Sequence, residues 1–238
     1  MTKAMLSRRG VEFDALDVEN DPQALEQLKA LGLSSVPAVV VGERWMIGWN
    51  PTKLAELVGF ALEERNGTPE ELLSSLRVIL DASLRAVGQI PEHGWERMAP
   101  GRERPLRELA RHLFHVVEVG VDADVLGVFP AAKWLAAKDV PELTGATLLT
   151  RYGEAVRAKF HAWYETAPSD AARFARTIDA DVGPRTLVEA LQRTRLHAAQ
   201  HLRQVYAFLG WLDVTSDQPL THDELRKMGM TDLPDELF

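Results

Sequence analysis

His197-Ala198-Ala199-Gln200-His201-Leu202-Arg203-Gln204 is the stretch on which the reading of this chain turns. Histidines four positions apart stand one turn apart on one helix face, so they can chelate a single divalent ion. At about 100° per residue, Leu187, Leu191, Ala198, Leu202, Val205 and Leu209 form one apolar stripe. His201 lies at its edge and His197 a little further round, so both can face the mouth of a helix bundle. The residues between them are Ala, Ala and Gln. Without a glutamate there, the zinc-protease pattern His-Glu-x-x-His is excluded.

Working outward, amphipathic stretches of similar length precede this one. Thr68-Pro69-Glu70-Glu71 is a helix start, with Thr as N-cap and acids in the first turn. It opens a helix near 69–88 through Leu72, Leu73, Leu76, Ile79, Leu80 and Leu84. A second helix is expected near 105–120 after Pro105, a third near 145–166, and a fourth near 184–209 opened by Gly183-Pro184. Residues 121–143 read as irregular, with a short helix around 131–137, and the tail 213–238 as acidic with one short helix after Thr221. Such stretches joined by loops predict a bundle.

On the second of these helices Leu106, Leu109, Leu113 and Val116 mark the buried face. His112 sits at its border and His115 further round, toward solvent. His112 is therefore the third ligand expected beside His197 and His201, with His115 in reserve. Three neutral imidazoles leave a coordination position open, as catalytic sites require. Bland readings stand alongside: a His pair is often a polar rim, and His112 can be a non-ligand. Gln200 reads as a supporting or solvated residue. Arg193, Arg195 and Arg203 are candidates for a carboxylated cofactor, although helix arginines are usually solvated. Trp95, Trp163 and Trp211 read as core or loop anchors, and His93, His161 and His222 as surface residues.

Arg107-Glu108-Leu109-Ala110-Arg111-His112 together with the His197–Gln204 stretch resembles the DinB/YfiT-like proteins over residues 69–212. That resemblance implies a four-helix bundle whose second-helix histidine and fourth-helix His-x-x-x-His bind a metal. It implies activities such as transferases and isomerases that use a low-molecular-weight thiol. It also implies a homodimer.

The first 60 residues are different. Val11–Val18 alternates as a strand does. Asp21-Pro22 opens a helix that carries Leu25, Leu28 and Leu31 and stops at Gly32. Pro37-Ala38-Val39-Val40-Val41 reads as a buried strand, Gly42-Glu43 as a tight turn, and Arg44–Gly48 as its hairpin partner. Asn50-Pro51 caps a last helix through Leu54, Leu57 and Val58. This order resembles the glutaredoxin branch of the thioredoxin fold over roughly residues 2–60. The resemblance implies a cis peptide at Val36-Pro37. Thr2–Gly10 matches the end of that family's first helix, so the opening strand and the Cys-x-x-Cys turn have no counterpart here. Either a longer native chain carries them, or the domain has given up redox chemistry and serves for packing or docking. Strand edges left unpaired invite association with a partner chain or the second domain.

The chain has 238 residues, 26% charged and 46% apolar, with a net charge of -8. That balance fits a globular protein with a sizeable core. It contains no cysteine, which excludes a disulfide framework, a thiolate metal site and dithiol exchange by this sequence. The acidic charge and the interleaving of Arg102, Arg104, Arg107 and Arg111 with Glu103 and Glu108 argue against a nucleic-acid surface. No apolar run reaches the ~18 residues of a membrane span, and no signal core is seen, so a cytoplasmic location is expected.

The expected architecture is α/β plus all-α: a truncated glutaredoxin-like domain over 1–62, a DinB-like four-helix bundle over 69–212, and a tail over 213–238. The expected cofactor is a divalent ion, zinc or nickel first, held by His112, His197 and His201. The expected function is a metal-dependent transferase in which a small thiol attacks an electrophile. The alternatives are a non-catalytic metal-binding or interaction protein, and a metal-assisted hydrolase. The catalytic residues beyond the ligands are open.

Overall fold

The computed structural model describes residues 2–33, 36–48, 51–60, 68–99, 104–130, 145–166, 170–179, 184–231, 233 and 237. The short helix expected at 131–137 lies outside these residues. The chain divides into two compact units, Met1–Arg65 and Asn66–Phe238.

In the first unit, α1 (Thr2–Arg8) and α2 (Pro22–Ala30) precede a hairpin of β1 (Ala38–Val41) and β2 (Arg44–Ile47), followed by α3 (Pro51–Val58). Asp21 caps α2 by accepting from the Gln23 amide at 2.9 Å. The strands pair antiparallel, with Val39 opposite Met46 and Val41 opposite Arg44. Gly42 turns between them at φ 61°, a conformation that suits a residue without Cβ. The Val36-Pro37 peptide is cis, as the resemblance implies. Met5, Leu6, Met46, Leu54 and Leu57 make the core of this unit, and the Arg44 guanidinium donates to the Leu57 carbonyl at 2.9 Å.

Two expectations fail here. Val11–Val18 is not a strand, because a strand exists only through ladder bonds and these residues pair with none of the described strands. Its residues Phe13 and Leu16 are 39% and 54% exposed. Nor is β1 buried: Val40 points to the face opposite Val39, and Val41, on the Val39 face, lies opposite Arg44 at the turn end of the hairpin, so both are exposed.

The second unit is a largely helical body. Its long elements are α4 (Pro69–Gly88), α5 (Leu106–Leu126), α6 (Ala146–Thr166) and α8 (Leu187–Trp211). Each of α4 and α5 packs against both α6 and α8. Between α6 and α8 lie the short α7 (Ala171–Ala175) and an antiparallel pair, β3 (Thr177–Ile178) and β4 (Arg185–Thr186). α9 (His222–Lys227) follows α8. No helix among the described residues is long and apolar enough to cross a membrane.

Helix α8 begins later than the Gly183-Pro184 signal predicts. Thr186 accepts from the Glu189 amide, and the Glu189 carboxylate accepts from the Thr186 amide, a reciprocal cap that satisfies two donors at once. The residues before it are spent on β4. Helix α5 runs past residue 120 to Leu126 and ends at Gly127, which sits at φ 71°. The segment after α8 is not loose: Leu225, Met230 and Leu233 are fully buried. Of the tryptophans, Trp95 and Trp163 are buried as expected, but Trp211 is 38% exposed at the end of α8.

Gly120 sets the approach of α5 to α8. A Cβ added there would meet Thr194 Oγ1 at 2.7 Å and Thr194 Cβ at 3.3 Å. Thr194 is β-branched, and its hydroxyl is held to the Ala190 carbonyl at 3.0 Å, so it yields poorly. Gly120→Ala therefore costs about 1–3 kcal/mol through overpacking, despite the better helix propensity of alanine. Chemical denaturation of the variant reads this directly, and a gain in stability would refute it.

Candidate metal centre

The approach of α5 to α8 brings His112 of the first beside His197 and His201 of the second. The three ring centroids are 5.2 Å (His112–His197), 4.9 Å (His112–His201) and 4.6 Å (His197–His201) apart. Each offers a ring nitrogen, and these nitrogens lie within 4.8 Å of one another. Zinc binds imidazole nitrogen at about 2.0–2.1 Å, so a shared centre needs the nitrogens within roughly 4 Å of one another. Small side-chain rotations close the difference. The three histidines thus could hold a metal ion. Among the described residues, His93, His161 and His222 join no such group.

Electrostatics favour the form that ligates. Burial holds His112 and His197 well below the ordinary imidazole pKa, and the neighbouring histidines add to it. Arg104 pushes both in the same direction, and Arg193 adds to it at His197. An imidazole must be neutral to donate its lone pair to a metal. Arg104 and Arg193 thus oppose a further positive charge on these rings.

The depressed pKa values also predict a pH dependence. Below the ordinary value of 6.5 an unfolded chain takes up protons at these positions that the folded, metal-free chain refuses. Stability from this source is complete above that pH and is lost as the pH falls. Denaturation midpoints of the metal-free protein between about pH 7.5 and 5.5, a window above most carboxylates, should fall. The fall should be shallower in a His112→Asn/His197→Asn chain. An identical slope in both would refute the assignment.

His197 also lines a cleft of about 40 Å³ between α5, α8 and the β3–β4 pair, walled by Val116, Val119, Phe129 and Ile178, with Arg185 and Arg193 among its lining residues. Phe129 is placed there by its amide, which donates to the Asp179 carbonyl at 2.7 Å.

His115 does not face solvent as its helical position predicts. It is 4% exposed, because α6 covers that side of α5. Its Nδ1 lies 3.3 Å from the Tyr152 hydroxyl, which donates to Glu118 Oε2 at 2.7 Å. Burial and the Glu118 bond push the Tyr152 phenol above its usual range. Arg195 likewise is not a solvated or cofactor-facing arginine. It is 4% exposed and donates to the Met228 carbonyl at 3.1 Å, the Gly229 carbonyl at 3.5 Å and Ser75 Oγ at 3.4 Å. Gln200 is buried and donates to the Leu237 carbonyl at 3.1 Å while accepting from Arg203 at 2.9 Å, a supporting part and not a solvated one. Gln204 lies in the quoted His197–Gln204 stretch, but the sequence reading gives it no role. It bonds His201 Nδ1 at 2.6 Å, and its position one turn beyond Gln200 was the only available signal.

Comparison with known proteins matches the first unit. Residues 1–46 fit the sequence profile of the glutaredoxin family. The glutaredoxin-like protein NrdH of Escherichia coli (strain K12) is 32% identical over 56 residues, which are 24% of this chain and 69% of that relative. The NrdH of Shigella flexneri matches to the same extent.

Proposed function

The chain belongs, through its N-terminal unit, to the glutaredoxin family, and from that premise we propose that its helical body is a DinB-like four-helix bundle acting as a metal-dependent transferase on a low-molecular-weight thiol. The observation that carries this reading is the convergence of His112, His197 and His201 within 4.8 Å of one another. The mutual packing of α4, α5, α6 and α8 supports the bundle. A divalent ion in such a donor set supplies a Lewis acid that lowers the pKa of a coordinated thiol.

The chain's own residues do the rest. His112 and His197, kept neutral by burial, would hold the ion together with His201. Arg104 and Arg193 give the surroundings a positive potential that favours the thiolate over the thiol. Val116, Val119, Phe129 and Ile178 give the cleft beside His197 an apolar wall against which part of an electrophile could rest once the cleft widens. The chemistry is formation of a bond from thiolate sulfur to an electrophilic carbon. The displaced group leaves with the electron pair, and the thiol proton is lost to solvent. The glutaredoxin-related unit fits a protein concerned with thiols, by association. We place the protein in the cytoplasm and expect a homodimer by analogy with bundles of this kind.

The test is metal analysis of protein purified without a polyhistidine tag. It is followed by turnover assays with a small thiol and an electrophile, with and without added zinc or nickel. About one ion per chain and thiol-dependent, metal-dependent turnover are expected. Absence of stoichiometric metal defeats the reading. Bound metal with no turnover leaves a metal-binding protein whose first unit serves interaction, and metal-dependent turnover without thiol indicates a hydrolase.

A further inference from the structure

Gln204 and the segment after α8 form a chain of hydrogen bonds that ends on His201. The Leu237 carbonyl can only accept. It takes a hydrogen bond from the Gln200 side-chain amide at 3.1 Å and another from Nε2 of Gln204. That contact removes the usual ambiguity of a glutamine amide, because only its nitrogen can donate to a carbonyl. Oε1 of Gln204 is thereby turned to His201, 2.6 Å from Nδ1. An amide oxygen cannot donate, so Nδ1 carries the proton. A neutral imidazole protonated at Nδ1 has its lone pair on Nε2.

The segment that supplies this carbonyl is anchored independently of the histidine. Leu225, Met230 and Leu233 are fully buried, and the buried guanidinium of Arg195 donates to the carbonyls of Met228 and Gly229. Its docking is thus a property of the folded body, held by α8 on either side of the metal-binding turn.

We propose that Gln204, locked by the Leu237 carbonyl, is the positioning residue of the metal centre, so that docking of the segment after α8 and metal binding are coupled. This rests on the three histidines binding a divalent ion. The docked segment selects Nε2 of His201 as the ligand atom and holds the ring in register with His112 and His197. Support of this kind characteristically governs 10–100-fold in metal affinity. Coupling is reciprocal, so a bound ion should hold the segment down as firmly as the segment holds the histidine.

The test titrates Zn²⁺ against a competing chelator in the full chain, in Gln204→Met, in Gln204→Glu, and in a chain stopped after Leu233. Gln204→Met keeps the volume and removes both hydrogen-bonding functions. It and the shortened chain should each bind Zn²⁺ about 10–100-fold more weakly. Gln204→Glu keeps an acceptor for Nδ1 but cannot donate to the Leu237 carbonyl, so it should bind Zn²⁺ more tightly than Gln204→Met and more weakly than the full chain, a graded rescue that a merely structural role would not produce. Zn²⁺ should slow proteolytic cleavage after Trp211 in the full chain but not in Gln204→Met. If the shortened chain fails to fold, the two Gln204 variants still decide. Equal affinity in the full chain and a folded Gln204→Met overturns the coupling and leaves the metal site standing. No Zn²⁺ binding by the full chain defeats the metal reading and this proposal with it.

Discussion

Replacing Asp124 by alanine lowers the stability of the helical body by about 3 kcal/mol, the lower end of the roughly 3–5 kcal/mol seen when one partner of a buried ion pair is removed. Asp124 sits near the end of α5 with its side chain 1% exposed. It accepts from Trp163 Nε1 of α6 at 2.8 Å, from Arg173 Nε of α7 at 2.7 Å, and from Arg176 at 2.6 Å. A second Arg173 nitrogen also reaches the carboxylate, and Arg176 donates to the Asp124 main-chain carbonyl. Truncation strands the buried indole N–H and removes the counter-charge of Arg173. The loss stays near the lower bound because Arg176, with its side chain 45% exposed, can turn to water. Asp124→Asn should cost less, since an amide oxygen can still accept from Trp163.

The consequence reaches the candidate site. Asp124 ties down the chain just before β3, and Phe129 and Ile178 on either side of that junction wall the cleft beside His197. A melting temperature lower by roughly 6–12 °C is the readout for Asp124→Ala. A change within ~0.5 kcal/mol of wild type, the range of ordinary surface substitutions, would show that the clamp contributes nothing.

The second large effect is on metal affinity. His197→Ala and His201→Ala should each weaken Zn²⁺ binding by more than the 10–100-fold that follows loss of a supporting group, because each removes one of three donors outright. His112→Ala should do the same. The fold should survive, since the histidines lie where the apolar stripes of α5 and α8 give way to polar residues. Competition titration with a chromophoric chelator measures the loss. Binding that persists in His112→Ala but vanishes in His115→Ala would move the third ligand one turn along α5. Unchanged affinity in all four variants would remove the site.

The helical body was legible because its signals are local. Thr68-Pro69-Glu70-Glu71 announces α4, and the apolar period of 187–209 announces α8. Gly183-Pro184 signals an earlier start for α8, but the Thr186-Leu187-Val188-Glu189 cap, equally present in the sequence, sets it. The hairpin 38–47 was legible through its Gly-Glu turn. That 11–18 forms no strand was not legible, because alternation states only that a residue run could pair, and pairing is a property of a second segment.

The long helices, the hairpin, the two unlike halves and the residue types able to bind a metal are written in local signals, because caps, turn residues and apolar periods act over a few neighbours; α7 and the β3–β4 pair carry no such signal. Packing across the body brings His112 to His197 and His201, hides His115 under α6, turns Arg195 to the segment after α8 and carries Leu237 to Gln204. Those outcomes depend on how closely helices approach and on which donor finds which carbonyl across tens of residues. Such distances are set by packing at places such as Gly120 against Thr194, where the fit of two surfaces counts and neither sequence alone describes it.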